Sequence, residues 1–156
     1  MPVVLYVLVA AAVVTHVLLD YTRLGRYAYA IGSNREAALY AGIPVALHTV
    51  SVYALNGMFT GLAGMIEASR LMTGQPTAGQ GYELQVIAAV VIGGGSLSGG
   101  EGSVTGTLIG AFIMGLLANG CDLLGISPYV QQAVIGAVII LAVTLDEVRK
   151  RRFSAR

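Results

Sequence analysis

Charged residues are scarce in this chain of 156 residues, and their scarcity excludes an ordinary soluble fold. Asp, Glu, Lys and Arg make up 11% of the sequence, whereas hydrophobic residues make up 56%. A soluble domain of this size needs a charged surface over most of its area. No Lys or Arg lies between Arg70 and Arg149, and five of the nine basic residues stand in the last eight positions. Charge confined to short stretches is typical of the loops of a membrane protein.

Cysteine and lysine occur once each, which removes further classes of protein. The single cysteine, Cys121, excludes an internal disulfide. Residues 97–101 (LSGGE) resemble the signature motif of ABC ATPases, but Glu101 stands where a phosphate-binding loop requires lysine, and the one lysine is Lys150 in the tail. A carboxylate there repels phosphate. We therefore expect that this chain binds no ATP and needs no other cofactor.

The two histidines do not predict a catalytic or metal site. His16 and His48 are far apart in the sequence, without the paired spacing of a metal site, and no GxSxG motif marks a nucleophile. A basic aromatic surface that could bind nucleic acid is also lacking. We assign no catalytic and no metal-binding residue, and we expect that the chain is not an enzyme.

Long apolar runs dominate what the sequence does contain. A membrane-spanning helix needs roughly 20 apolar residues. Four runs fit or nearly fit this length. A fifth run, Leu84–Ile92, is too short to span the membrane and leads into glycines 93–95. This pattern favours a broken or re-entrant helix packed within protein. The predicted fold is an all-α polytopic membrane protein, with this short helix near residues 84–95 and about four transmembrane helices, at Pro2–Leu19, Val45–Ala68, Val104–Ala118 and Tyr129–Leu145.

Basic residues predict the orientation, because Lys and Arg concentrate in cytoplasmic loops. Arg23, Arg26 and Arg35 place the loop over residues 20–44 in the cytoplasm, and the basic tail over residues 146–156 places the carboxyl terminus there too. The loop over residues 69–83 is then external. We expect one transmembrane domain over residues 1–156.

Glycines recur at helical spacing in two of the predicted spans. Small residues four apart let helix backbones approach closely within a membrane. These positions are therefore predicted to pack helices together: Gly57 and Gly61 in one span, and Gly102, Gly106 and Gly110 at and within another.

Several stretches resemble bacterial importer permeases. Glu36-Ala37-Ala38 followed by Gly42 resembles the first part of the EAA loop of those proteins. Three further stretches are similar to the ribose-type ABC permease family, within the broader superfamily that includes branched-chain amino acid permeases: Gln75–Leu84, Ile87–Gly106 and Ser127–Gln132. The similarity extends from about Thr22 to Asp146 and follows the family's order.

The resemblance implies a permease subunit of the bacterial cytoplasmic membrane. It implies as partners a cytoplasmic ABC ATPase, which would bind the ATP, a periplasmic sugar-binding protein and a second permease subunit, with a monosaccharide as the substrate. Glu36, Ala37, Ala38 and Gly42 would belong to the segment that docks the ATPase. Gly42 can end a short helix ahead of Pro44. Family members are about twice as long, so this chain would correspond to the carboxyl-terminal half.

Other interpretations remain open at this stage. The chain could be a truncated membrane interaction protein that keeps the docking and packing surfaces but transports nothing. It could also be a small channel or exporter built by oligomerisation. The EAA-like segment could be an ordinary amphipathic loop helix. The sequence does not identify the sugar or the substrate-binding residues.

Overall fold

A computed structural model of the chain describes the backbone of residues 2–72, 74–75 and 78–154, and the side chains of residues 3–72, 74–75 and 78–144. This described part contains helices and no strand, which confirms the all-α prediction. Its seven helices, in chain order, are Pro2–Tyr21 (α1), Arg23–Ser33 (α2), Arg35–Tyr40 (α3), Val45–Leu71 (α4), Tyr82–Ile92 (α5), Val104–Leu123 (α6) and Pro128–Ser154 (α7).

Three of these helices are long and apolar enough to cross a membrane, judged over the described residues: Val3–Tyr21, Val45–Leu71 and Val104–Leu123. They correspond to the first three predicted spans. The fourth predicted span lies in α7, whose described apolar part is Pro128–Thr144. The basic side chains of the predicted tail, 146–156, lie outside the described residues, as does part of the predicted external loop, 69–83.

The chain divides into two compact units, Met1–Ala78 and Gly79–Arg156. In the first unit, α2 contacts α1, α3 and α4, and α3 also contacts α4. In the second unit, α5 contacts both α6 and α7. Two compact units can belong to one membrane domain, so the division neither confirms nor contradicts the prediction of a single transmembrane domain.

The predicted cytoplasmic loop is mostly helical. Its 20–44 region contains α2 and α3 rather than one short helix. Thr22 separates α1 from α2 and caps α2, since its hydroxyl accepts a hydrogen bond from the Gly25 amide at 3.5 Å. The same hydroxyl donates to the Leu18 carbonyl oxygen at 2.6 Å. The break is therefore bridged on both sides by one side chain.

Helix α5 forms the centre of the second unit. Ala88 is fully buried, and Ala89 lies beside it in a core with Met114 of α6 and Ile135 of α7. With 11 residues, α5 is about 17 Å long, which is too short to cross a bilayer. The short helix predicted near residues 84–95 is thus present and packs on one side against longer helices, and its place at membrane depth stays a prediction.

Helices α5 and α6 approach each other so closely that side chains are excluded at the crossing. A Cβ atom at Gly110 would overlap the carbonyl oxygen of Ala89, and one at Gly106 would overlap the carbonyl oxygen of Gly93. Two of the glycines from the sequence pattern therefore lie where the backbones meet. By contrast, a Cβ atom at Gly115, further along α6, would meet nothing within 4 Å.

These two environments predict opposite effects of the same substitution. Gly110→Ala should lower the free energy of unfolding by about 1–3 kcal/mol, because the added methyl group must push the α5 backbone away. Gly115→Ala should leave stability unchanged or raise it by up to about 1 kcal/mol, since alanine favours helix over glycine. Thermal unfolding in detergent, followed by circular dichroism, measures both. Equal shifts for the two variants would contradict the close crossing.

Candidate docking site

A single residue, Asn34, lies between α2 and α3 and caps both. The Asn34 side-chain oxygen accepts a hydrogen bond from the Ala37 amide at 3.0 Å, which caps the start of α3. The Asn34 amide donates to the Ala30 carbonyl oxygen at 3.1 Å, which completes the last turn of α2. No flexible linker separates the helices, so the direction of α3 is fixed by α2.

The other end of α3 is closed by a glycine in the left-handed conformation. Gly42 has a φ of 79°, and its amide donates to the Leu39 carbonyl oxygen at 3.0 Å. The Ile43 amide donates to the Ala38 carbonyl oxygen at 3.1 Å. This pair of bonds is the Schellman arrangement, which satisfies carbonyl groups left free at a helix end. The helix-ending role expected for Gly42 therefore has a structural basis.

The predicted docking residues do not all face outward. Glu36 and Ala37 are exposed, and Gly42 is exposed at the helix end. Ala38, in contrast, is 4% exposed. Its small side chain lets α3 pack onto the first unit, so it contributes to the position of α3 rather than to an outer surface.

Two exposed apolar side chains of α3 were missed by the sequence interpretation. Leu39 is 60% exposed and Tyr40 is 89% exposed. They stand three and four positions after Glu36, so the three side chains share one face of the helix. This spacing could have been found in the sequence, but the EAA-like motif includes the alanines and neither Leu39 nor Tyr40. We call Glu36, Leu39 and Tyr40 the outer face of α3.

The junction between α1 and α2 fixes the base on which α3 stands. A Cβ atom at Gly25 would overlap the backbone of Leu19, so only glycine allows α2 to turn so tightly against α1. His16 and Asp20 pair at 2.9 Å within the last turns of α1. Partial burial of Tyr29, and secondarily the charge of Asp20, raises the pKa of the Tyr29 phenol. The phenol therefore stays neutral at physiological pH.

The remaining predicted packing residues occupy varied settings. A Cβ atom at Gly57 or Gly61 would meet nothing within 4 Å, so this face of α4 is open among the described residues. Gly102 precedes α6, and a Cβ atom there would lie 3.7 Å from the Gly95 Cα atom. A packing role for Gly57 and Gly61 stays a prediction.

The long apolar helices define a multi-pass membrane protein, and comparison with known proteins narrows this class. Residues 2–143 match the family described as "Branched-chain amino acid transport system / permease component". The chain belongs to this family. The expected likeness to ribose-type permeases is confirmed, and so is the expectation that the chain is not an enzyme, because the matched proteins are transport permeases.

Individual relatives match over most of this chain. It is 55% identical over 129 residues to the ribose import permease protein of Escherichia coli strain K12, a match that covers 83% of this chain and 40% of that protein. The ribose import permease protein of Bacillus subtilis strain 168 is 53% identical over 145 residues, or 93% of this chain and 45% of that protein.

A xylose transport system permease protein of Escherichia coli strain K12 is 49% identical over 131 residues, or 84% of this chain and 33% of that protein. The chain thus spans less than half the length of these relatives. No solved structure matches it.

The Asn34 cap predicts a local effect on α3. Asn34→Ala should speed hydrogen exchange at the α3 amides about fivefold, because loss of an N-cap costs about 1 kcal/mol. Asn34→Ser is the matched control, since serine caps helices equally well, and it should keep the parent exchange rate. Mass spectrometry of peptides covering residues 34–42 measures the exchange. An unchanged rate in the alanine variant would show that the cap does not hold α3.

Proposed function

We propose that this chain is the carboxyl-terminal part of the transmembrane permease subunit of an ABC importer for a monosaccharide. Its similarity to permeases named for ribose and xylose carries the proposal, because two relatives with different pentose names share about half of its residues. The chain forms part of the translocation pathway in the bacterial cytoplasmic membrane. Its partners are an ABC ATPase, a periplasmic sugar-binding protein and a second permease subunit.

Helix α3 is the element of this chain that docks the ATPase. Its outer face combines one carboxylate, Glu36, with two apolar side chains, Leu39 and Tyr40, of which the aromatic ring is almost fully exposed. A short helix with an aromatic anchor suits a groove on a soluble partner. ATP is bound by that partner and not by this chain, which needs no cofactor of its own.

Because the Tyr40 side chain is exposed, we expect its replacement by alanine to weaken ATPase binding. Tyr40→Ala, combined with Glu36→Arg, should reduce the amount of ABC ATPase that co-purifies with the tagged chain by about tenfold or more, since an anchoring aromatic residue contributes about 2 kcal/mol or more to an interface. The measurement is an affinity pull-down from detergent-solubilised native membranes, with the ATPase identified by its peptide sequences.

The matched control is Tyr129→Ala. Tyr129 is 84% exposed, close to the exposure of Tyr40, but it belongs to α7 in the second unit. The control should retain the parent amount of ATPase. Equal recovery with the α3 double variant and the parent, or an equal loss with the control, would contradict docking through α3.

The proposed orientation gives a second prediction. Fluorescent protein fused after Arg156 should fluoresce, and alkaline phosphatase fused there should be inactive, because basic residues keep that end in the cytoplasm. Fusions that end at Gln75 should give the reverse result, as the loop after α4 is proposed to be external. The two reporters control for each other at each site. Fluorescence of the fusion at Gln75 would show that the loop after α4 is cytoplasmic and would contradict the proposed topology.

A further inference from the structure

An apolar groove lies between α2 and α4 in the first unit. It has a volume of about 170 Å³ and opens widely to the outside. Its walls are almost wholly apolar. They are formed by side chains from both helices: Ala28 and Ile31 with the Gly32 backbone on α2, and Thr49, Val52 and Tyr53 on α4.

The groove is bordered at one end by a pair of rings. His48 lines it, and the His48 ring contacts the Tyr27 ring edge to face, with 4.8 Å between the ring centroids. The Nδ1 atom of His48 donates to the Pro44 carbonyl oxygen at 3.0 Å, which fixes the imidazole at the start of α4. Since α4 begins at Val45, this end of the groove lies at the first turn of a helix that is long and apolar enough to span a membrane.

Positive charge flanks the same end. Helix α2 carries Arg23 and Arg26, both exposed, and no acidic residue. Arg23 stands one helical turn before Tyr27, so the two side chains share a side of α2. Ala28, Ile31 and Gly32 face the groove. Ile31 stands one turn after Tyr27, so Arg23, Tyr27 and Ile31 form one row along α2, with Arg23 one turn beyond the ring pair. Helix α2 is thus apolar where it lines the groove and basic in its first turn, the pattern of a helix that lies in a membrane interface.

We propose that the groove between α2 and α4 binds an anionic phospholipid of the inner leaflet. One acyl chain fills the groove between Ile31 and Val52, and the headgroup phosphate lies at the end marked by His48 and Arg23. The bound lipid fastens α2, and with it the base of α3, to the membrane surface.

Charge and lining together favour a lipid over other occupants. A sugar would lose its hydrogen bonds to water against apolar walls and find almost no replacement there. A neutral apolar segment of protein could fill the groove but would gain nothing from Arg23. An anionic lipid satisfies both features, because arginine close to a membrane surface attracts acidic headgroups.

The test is lipid binding to the purified full chain, measured by native mass spectrometry without any ATPase. Phosphatidylglycerol and phosphatidylcholine with identical acyl chains are titrated separately onto delipidated protein. Phosphatidylglycerol should bind the parent more tightly. Arg23→Gln should lower its affinity about fivefold and leave phosphatidylcholine unchanged, because one headgroup contact is lost.

A second variant fills the groove. Ala28→Leu should lower the affinity for both lipids about tenfold, because the added carbons take the place of the acyl chain. Ala54→Leu is the matched control; Ala54 is exposed and lies roughly opposite Thr49 and Val52 on α4, so binding should stay at the parent level. Circular dichroism and gel filtration establish that each variant keeps its helices and its size.

Three results would overturn the proposal. Equal affinity of the parent for the two lipids would show that the headgroup makes no specific contact. Parent-level binding by Ala28→Leu would show that no acyl chain lies in the groove. Dimers that form in the parent and disappear with Ala28→Leu would assign the groove to a second copy of the chain. Because no ATPase is present, each result leaves the docking proposal unaffected.

Discussion

The absence of water from a bilayer core is the constraint on which this structure depends, because every backbone amide and carbonyl group there must find a partner in the protein. Helix α5 ends inside its unit and meets this demand locally. The Gly94 amide donates to the Val91 carbonyl oxygen at 3.0 Å, and the Gly95 amide donates to the Val90 carbonyl oxygen at 2.8 Å. A short helix can therefore end within the protein, because its last amides are paired in the turn that follows and α6 and α7 pack against its buried side.

Packing longer helices against a short helix also requires small side chains at the contact. Without a hydrophobic driving force between helices in lipid, association relies on close packing. Ala88 and Ala89 on α5 are small and buried, and Gly106 and Gly110 on α6 leave room for the α5 backbone. Two glycines of the pattern, Gly106 and Gly110, lie at this crossing, and the pattern alone does not name the neighbouring helix. The equivalent pattern on α4 has an open face among the described residues, so spacing alone does not distinguish a used contact from an unused one.

The sequence predicted where helices begin better than where they end or what lies between them. Val45 and Val104 start α4 and α6 as predicted, because proline or a serine cap precedes each apolar run. The predicted ends, Ala68 and Ala118, came from falling hydropathy, whereas helical hydrogen bonding continues to Leu71 and Leu123. Hydropathy also gave no sign of α2, which is half polar, and the EAA-like motif included Ala38 in the docking surface although that side chain is buried. Tertiary packing decides these features, and it is not local in the sequence.

The first unit connects α3 to two long apolar helices, α1 and α4, through helix packing. Asn34 is the single residue between α2 and α3, and Gly25 sets α2 directly on the end of α1. Helix α3 also contacts α4, and Ala38 on α3 and Val45 at the start of α4 are both buried. The outer face of α3 is therefore linked to α1 through α2 and to α4 by direct packing, with residues 41–44 as the non-helical connection to α4. A helix proposed to dock an ATPase needs such packing, because a movement of the soluble partner reaches the long helices only through contacts of the docking element.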